Sequence, residues 1–183
     1  MPRIAALNPS DAPAQSQPLL AAVKSKLGMV PNLFKTFSHS PAVLQFYLSG
    51  SEALAGTRIS AALREQIALA TAGENECNYC ASAHTLMGKG AGLAVQEMAD
   101  NLLGNSSDTK TKTALTFAKA LVSGRGRISD TEMARVREAG YSDAEITEIV
   151  ATVAINIFTN YFNHVADTEV DFPLVNATAL ETV

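Results

Sequence analysis

The sequence predicts an all-α chain with a central pair of buried helices that carries both of its cysteines. Two capping boxes, SDTE at 129–132 and SDAE at 142–145, each precede a helical pattern and mark where two helices begin. Prolines and glycines separate the other apolar segments where helices start and stop. No two segments show the alternation that a convincing pair of strands requires.

The composition indicates one folded domain of 183 residues. Hydrophobic residues make up 47% of the chain and charged residues 17%, so the chain is too apolar to be disordered and under-charged for an isolated subunit. We therefore expect a homo-oligomer. The net charge is -4 and no run of lysine and arginine occurs, so the sequence lacks the basic surface that nucleic-acid binding needs.

The sequence predicts a cytoplasmic protein that does not enter the membrane. Its N-terminal segment, MPRIAALNPSDAPAQSQ, has proline and serine where a secretory signal needs an unbroken apolar stretch. The most apolar tract, IVATVAINIF at 149–158, is shorter than the roughly 20 apolar residues that cross a bilayer. Cysteines in such a protein are kept reduced, so a close pair indicates redox or metal chemistry rather than a structural disulfide.

The first helices are predicted from prolines and glycines. Residues 1–17 form an expected extended arm, and the helical segment LLAAVKSKLG then stops at Gly28. Pro31 and Pro41 open PNLFKTFSHS and PAVLQFYLSGSEALAG, because proline at the first helical position loses no helical hydrogen bond. The aromatic residues of these two segments are core or pocket-wall candidates: Phe34, Phe37, Phe46 and Tyr47.

The next two helices form the predicted central pair. Ser60 is positioned to cap SAALREQIALATAG, which is apolar nearly all round and is expected to end at Gly73. Asn75 is the expected cap of the following helix, which places Cys77 and Cys80 in its first turns. A glycine cluster at 88–92 ends that helix.

Four further helices complete the predicted domain. LAVQEMADNLLG stops at Gly104, and Asp108 or a neighbour opens KTKTALTFAKALVSG. The two capping boxes then start the helical segments RVREAG and ITEIVATVAINIFTNYFNHV. The expected division is an arm at 1–17, a helical domain at 18–168 and an extended tail at 169–183.

Cys77 and Cys80 form a CxxC pair, and the chain has no other cysteine. A thiol attacks only as the thiolate, and the partial positive charge of a helix N-terminus stabilises that anion. The spacing of three residues places both sulfurs on one side of a helix, close enough to join after one of them is oxidised. The pair therefore predicts a reversible disulfide.

His84 and Glu65 are the predicted proton-transfer partners of the cysteines. His84 follows Cys80 by one helical turn, and histidine exchanges protons near neutral pH. Glu65 lies on the preceding helix, which returns antiparallel beside the CxxC helix. A carboxylate, an imidazole and two thiols would then form one proton-transfer cluster.

Other interpretations of these residues remain open from the sequence. The two cysteines and His84 could ligate zinc, but no fourth ligand is evident, so no metal site is predicted. The thiols could be inert core residues, and Glu65 a surface glutamate. The polar cluster around Asn160, Asn163 and His164 is expected at a subunit contact more than at the site, and His39 at the surface.

The segment LREQIALATAGENECNYCASAH resembles the signature of the alkylhydroperoxidase AhpD and carboxymuconolactone decarboxylase superfamily. In that signature a glutamate precedes the first cysteine by twelve residues and a histidine follows the second by four, which Glu65, Cys77, Cys80 and His84 match. The segments KLGMVPNLFKTFSHSPAVLQFY and NYFNHVADTEVDFP are similar to the AhpD-like, peroxidase-related branch. Tyr79 is a departure, since AhpD has a second histidine between its cysteines.

The resemblance implies an AhpD-like helical subunit that forms dimers, trimers or hexamers and acts as a thiol peroxidase without a cofactor. By that likeness Cys80 attacks the peroxide, Cys77 resolves the product, and Glu65 with His84 relays the proton. A thiol or disulfide partner protein re-reduces the disulfide.

The sequence and the resemblance together predict a thiol-dependent hydroperoxide reductase or disulfide oxidoreductase with an antioxidant role. One alternative is a lyase or decarboxylase-like enzyme acting on a small lactone or carboxylate, with Glu65 and His84 as base and acid. Another is a non-enzymatic helical assembly in which the CxxC pair is structural.

Overall fold

The structure is a computed structural model that describes residues 1–178, and over these residues the chain is all-helical, as the sequence predicts. The described part contains nine helices and no strand. Their bounds are α1 Gln17–Leu27, α2 Asn32–Phe37, α3 Pro41–Ala55, α4 Ala61–Glu74, α5 Asn78–Gly90, α6 Val95–Leu102, α7 Thr109–Ser123, α8 Asp130–Glu138 and α9 Asp143–Ala166.

Most helix starts lie where local capping chemistry predicts them. The Ser60 side chain accepts a hydrogen bond from the Leu63 backbone N–H at the start of α4. Asp108 does the same for α7, and both predicted capping boxes, at Ser129 and Ser142, are formed in full. These side chains satisfy backbone donors that the first helical turn leaves without partners.

Two predicted boundaries around the central helices are wrong. Gly73 does not end α4, which continues to Glu74. A Cβ atom on Gly73 would lie 1.9 Å from the Leu102 carbonyl oxygen, so this glycine permits close contact between α4 and α6. Asn75 caps the end of α4 rather than the start of α5, and the N-cap of α5 is Cys77.

Helix α4 occupies the centre of the fold and packs against α5, α6, α7 and α9. Leu69 and Ala72 contribute to an apolar cluster that includes both cysteines, while Ile67 and Ala70 contribute to a second cluster with α7 and α9. A helix that is apolar on nearly all sides is stable only when other elements surround it. The predicted central helix pair is therefore confirmed.

Helix α9 combines an apolar surface with a buried polar row. Its buried polar residues recur every three or four positions and so share one face: Thr152, Asn156, Thr159, Asn160 and Asn163. Within residues 1–178, no helix combines the length and the apolar character that crossing a bilayer would require.

Both described ends of the chain fold back onto the helices. The backbone N–H groups of Arg3 and Ile4 donate to the Ala166 carbonyl at the end of α9. At the other end, residues 168–178 form no helix, yet Val175 packs against the core and Ala177 is only 3% exposed. The remaining residues of the expected tail, 179–183, lie outside the described part of the chain.

Candidate active site

The two sulfurs lie at the N-terminus of α5, and both cysteines are buried. Cys77 is 1% exposed and Cys80 is 3% exposed. The Cys80 backbone N–H donates to the Cys77 sulfur over 3.4 Å, so the first cysteine caps the helix that carries the second. Only Cys80 of the two lines the adjacent cavity. The sulfurs therefore have different access to a small molecule.

The two thiols also differ in acidity. Burial raises the pKa of Cys80, but a hydrogen bond from Cys77, the charge of His84 and the amides of Asn163 and Asn160 outweigh it and lower the pKa to about 7. The shared hydrogen bond with Cys80, followed by burial, raises the pKa of Cys77. At neutral pH Cys80 is thus the thiol that exists substantially as thiolate.

Glu65 and His84 form a hydrogen-bonded pair across α4 and α5. His84 Nδ1 lies 2.8 Å from Glu65 Oε2, and both side chains are largely buried. Burial lowers the pKa of His84, but the charge and hydrogen bond of Glu65 and the charge of Cys80 raise it overall. The imidazole is therefore held near the carboxylate and lines the cavity with Cys80.

The amides of α9 complete the surroundings of the sulfur, which corrects the expectation that they lie at a subunit contact. Asn163 Nδ2 donates to the Cys80 sulfur over 3.3 Å, and Asn160 is fully buried beside it. Asn156 contacts His84 from the same helix face. The sequence signal for them is the recurrence of asparagine every three or four residues on an otherwise apolar helix.

The cavity beside Cys80 has a volume of about 160 Å³ and walls that are mostly apolar. Of the four aromatic candidates, Phe34 and Tyr47 line it, Phe37 is buried in the core and Phe46 is 62% exposed. Burial raises the pKa of Tyr47 to about 12, so its hydroxyl remains neutral. The cavity suits a small molecule with an apolar body.

Tyr79 occupies the position where AhpD has a second histidine, but its hydroxyl is hydrogen-bonded to other residues and not to the sulfurs. Its hydroxyl accepts a hydrogen bond from the Leu33 backbone N–H and donates to Asp171 Oδ1, over 3.1 and 3.0 Å. Its ring packs edge-on against Phe172, with centroids 5.6 Å apart. Tyr79 therefore connects α5 to α2 and to the segment after α9.

The structure brings Glu65, Cys77, Cys80 and His84 together and leaves the other two histidines apart from them. His39 Nε2 lies 2.9 Å from the Ala5 carbonyl at the surface, and His164 is exposed on α9. Among residues 1–178, no three histidine, cysteine or acidic side chains are grouped closely enough to hold a metal ion.

One family pattern matches the part of the chain that contains these residues. The carboxymuconolactone decarboxylase family pattern matches residues 41–121, a range that contains all four of these side chains. No curated protein matches the chain.

Several solved structures share the fold at low sequence identity. A peroxidase-related protein from Ralstonia eutropha, described as an alkylhydroperoxidase AhpD core, is 23% identical with a TM-score of 0.83, covering 93% of this chain and 92% of that one. A peroxidase-related protein from a Silicibacter species is 22% identical with a TM-score of 0.80 over 91% of both chains. The debrominase Bmp8, in complex with 2,3,4-tribromopyrrole, is 22% identical with a TM-score of 0.79, covering 92% of this chain and 91% of that one. Residues 41–121 thus match the carboxymuconolactone decarboxylase family pattern, and the described chain has the same helical fold as these solved structures.

Proposed function

We propose that this chain is a thiol peroxidase that reduces a hydroperoxide at Cys80 and stores the oxidation as a Cys77–Cys80 disulfide. One observation carries the proposal: Cys80 and His84 line the same apolar cavity. The pKa of Cys80 is lowered to about 7, and His84 is hydrogen-bonded to Glu65. This combination supplies a nucleophile, a route for its proton and room for a substrate.

The first step is attack of the Cys80 thiolate on the peroxide. A new S–O bond forms as the O–O bond breaks, which gives a Cys80 sulfenic acid and an alkoxide. The thiol proton passes first to His84, and the imidazolium then returns it to the alkoxide as the alcohol leaves. Glu65 stabilises the imidazolium between these events through its 2.8 Å contact with Nδ1.

The second step converts the sulfenic acid into a disulfide. The Cys77 sulfur attacks the Cys80 sulfur, the S–O bond breaks, and the hydroxyl leaves as water with the Cys77 proton. An external dithiol, supplied by a partner protein, then provides two electrons and two protons and restores both thiols. The raised pKa of Cys77 favours this order, because Cys77 remains protonated until its partner is oxidised.

Mass spectrometry of the reduced protein after one equivalent of peroxide tests the mechanism. The expected product has lost two hydrogens and contains the Cys77–Cys80 disulfide. Cys80→Ser should abolish the first oxidation, whereas Cys77→Ser should permit it and accumulate sulfenic or sulfinic acid. The opposite pattern in the two variants would reverse the assigned roles.

A second candidate is reductive removal of a halogen from a halogenated aromatic compound. It is favoured by the likeness to the debrominase Bmp8 and by the aromatic walls contributed by Phe34 and Tyr47. In that reaction the Cys80 sulfur would take the halogen as the ring carbon takes a proton, and Cys77 would displace halide to form the disulfide. Release of bromide from a bromopyrrole, without a comparable rate on hydroperoxides, would support this candidate over peroxide reduction.

The lyase and structural alternatives predict other outcomes. A small carboxylate substrate would need a cation, and none of the described side chains that line the cavity belongs to lysine or arginine. His84 would then have to bind the carboxylate and also act as the acid. Activity on a lactone that survives in a Cys77, Cys80 double serine variant would support the lyase. Thiols that resist reagents in the native protein would support a structural pair.

We also propose that the protein is cytoplasmic and that it self-associates through α9. Three exposed apolar side chains of α9 recur at helical spacing: Val150, Tyr161 and Val165. Phe46 of α3 is also exposed, and its ring packs against Phe158 of α9. A second copy of the chain would cover this uncharged surface. Sedimentation analysis of Tyr161→Lys against the unchanged protein tests it: a smaller assembly is expected, and an unchanged size refutes this interface.

A further inference from the structure

Residues 168–178, here called the C-terminal strap, are attached at three points to the first turns of the CxxC helix. The Val175 backbone N–H donates to Ser82 Oγ, and the Ala177 backbone N–H donates to Asn78 Oδ1, each over 2.9 Å. The Tyr79 hydroxyl donates to Asp171 Oδ1. All three attachment points on α5 lie within two residues of Cys80 in sequence.

Asp171 and Tyr79 also hold the beginning of α2. The N-cap of α2 is Pro31, whose side chain forms no hydrogen bond. The first two backbone N–H groups of the helix instead donate to Asp171 Oδ2, over 2.8 Å, and to the Tyr79 hydroxyl, over 3.1 Å. These two side chains, here called the clasp, therefore satisfy donors that a local cap would otherwise satisfy.

The segments that the clasp joins are walls of the cavity beside Cys80. Helix α2 contributes Leu33 and Phe34 to the cavity, and the strap contributes Phe172. Phe172 follows Asp171 directly in the chain and packs edge-on against the Tyr79 ring. No helix or strand holds this part of the chain, and the clasp is the attachment next to Phe172. The nearest other hydrogen bonds of the strap lie further along the chain, from Asn32 Nδ2 to the Glu169 carbonyl on one side and from the Val175 backbone N–H to Ser82 Oγ on the other.

We propose that Tyr79 and Asp171 are positioning residues whose clasp holds Phe172 as a wall of the cavity and thereby sets the size of the reagent that reaches Cys80. Loss of the clasp lets the strap and the start of α2 separate, which widens the entrance without removing any group that contacts the sulfur. The consequence for hydroperoxide choice rests on the proposed function, but access to the thiol does not.

The test compares alkylation of Cys80 by iodoacetamide and by a bulky fluorescein maleimide, scored by peptide mass spectrometry. In Asp171→Ala and Tyr79→Phe, which remove hydrogen bonds of the clasp, the maleimide rate should rise about tenfold. This factor is the change in the fraction of open molecules that corresponds to about 1.4 kcal/mol. The iodoacetamide rate should change little. Phe172→Ala, which removes the wall and leaves the clasp residues in place, should also favour the bulky reagent.

Glu169→Ala is the matched control, because Glu169 is an exposed acid in the same strap whose side chain forms no part of the clasp. Its ratio of the two rates should equal that of the unchanged protein. If the ratio is also unchanged in both clasp variants, the inference is overturned; should one variant fail to fold, the other decides. A protein that shows the shift but reduces no peroxide keeps this inference and loses the proposed function.

Discussion

Replacing Asn163 by leucine tests whether the amides of α9 keep Cys80 ionised. Asn163 donates to the Cys80 sulfur over 3.3 Å in a buried setting, and leucine has a similar volume but no donor. The substitution also removes the Asn163 carbonyl oxygen, which is buried without a hydrogen-bond partner in the described structure, so the loss of stability should be modest.

The expected change follows from the strength of a hydrogen bond to a charged acceptor. Such a bond contributes roughly 1.5 kcal/mol, which corresponds to about one pKa unit. The pKa of Cys80 would then rise from about 7 towards about 8. At pH 7 the thiolate fraction would fall from about one half to about one tenth, a loss of about fivefold in rate.

The assay is alkylation of Cys80 by iodoacetamide across pH, scored on the Cys80 peptide so that Cys77 is measured separately. In the unchanged protein the pKa of Cys80 is lowered to about 7, so the alkylation rate rises as the pH increases through about 7. In the variant the same rise should occur at a higher pH. The two rates should converge at alkaline pH. His164→Asn, an exposed neighbour on the same helix, is the control. A midpoint that does not move, or an equal loss at every pH, would refute the reasoning.

Three other substitutions have defined expected results. Glu65→Gln keeps the shape of the side chain but removes the charge that raises the pKa of His84, so the reactivity of Cys80 at neutral pH should fall. A pH profile identical to that of the unchanged protein would exclude Glu65 from the relay. Gly73→Ala should lower the free energy of unfolding, measured in urea, by about 2 kcal/mol or more, because the Cβ of the alanine would clash with the backbone of α6 at Leu102. A loss below about 0.5 kcal/mol would contradict the close packing of α4 and α6. Ser142→Ala should cost about 1 kcal/mol in the same measurement through loss of the α9 cap, with no change in Cys80 reactivity, and a change in reactivity would show that the cap affects the site.

The helix ends show how far local sequence reaches. The caps Ser60 and Asp108 and both capping boxes form hydrogen bonds with backbone groups within three residues. A few consecutive residues therefore predict where α4, α7, α8 and α9 begin. The helix continues past Gly73 to Glu74, and the role of this glycine depends on Leu102, which is distant in sequence and gives no local signal. Asn75 is the stronger capping residue by type, yet Cys77, a weak acceptor, is the N-cap of α5.

The sequence by itself determined the all-helical fold and the likeness that joins Glu65, Cys77, Cys80 and His84, because helical periodicity and capping act over one or two turns. Only the tertiary structure decided which other side chains meet the sulfurs. Asn163 reaches Cys80 across 83 positions and Asp171 reaches Tyr79 across 92. Such contacts depend on how α9 and the C-terminal strap pack against α5, and no local pattern encodes the relative placement of segments so far apart in the chain.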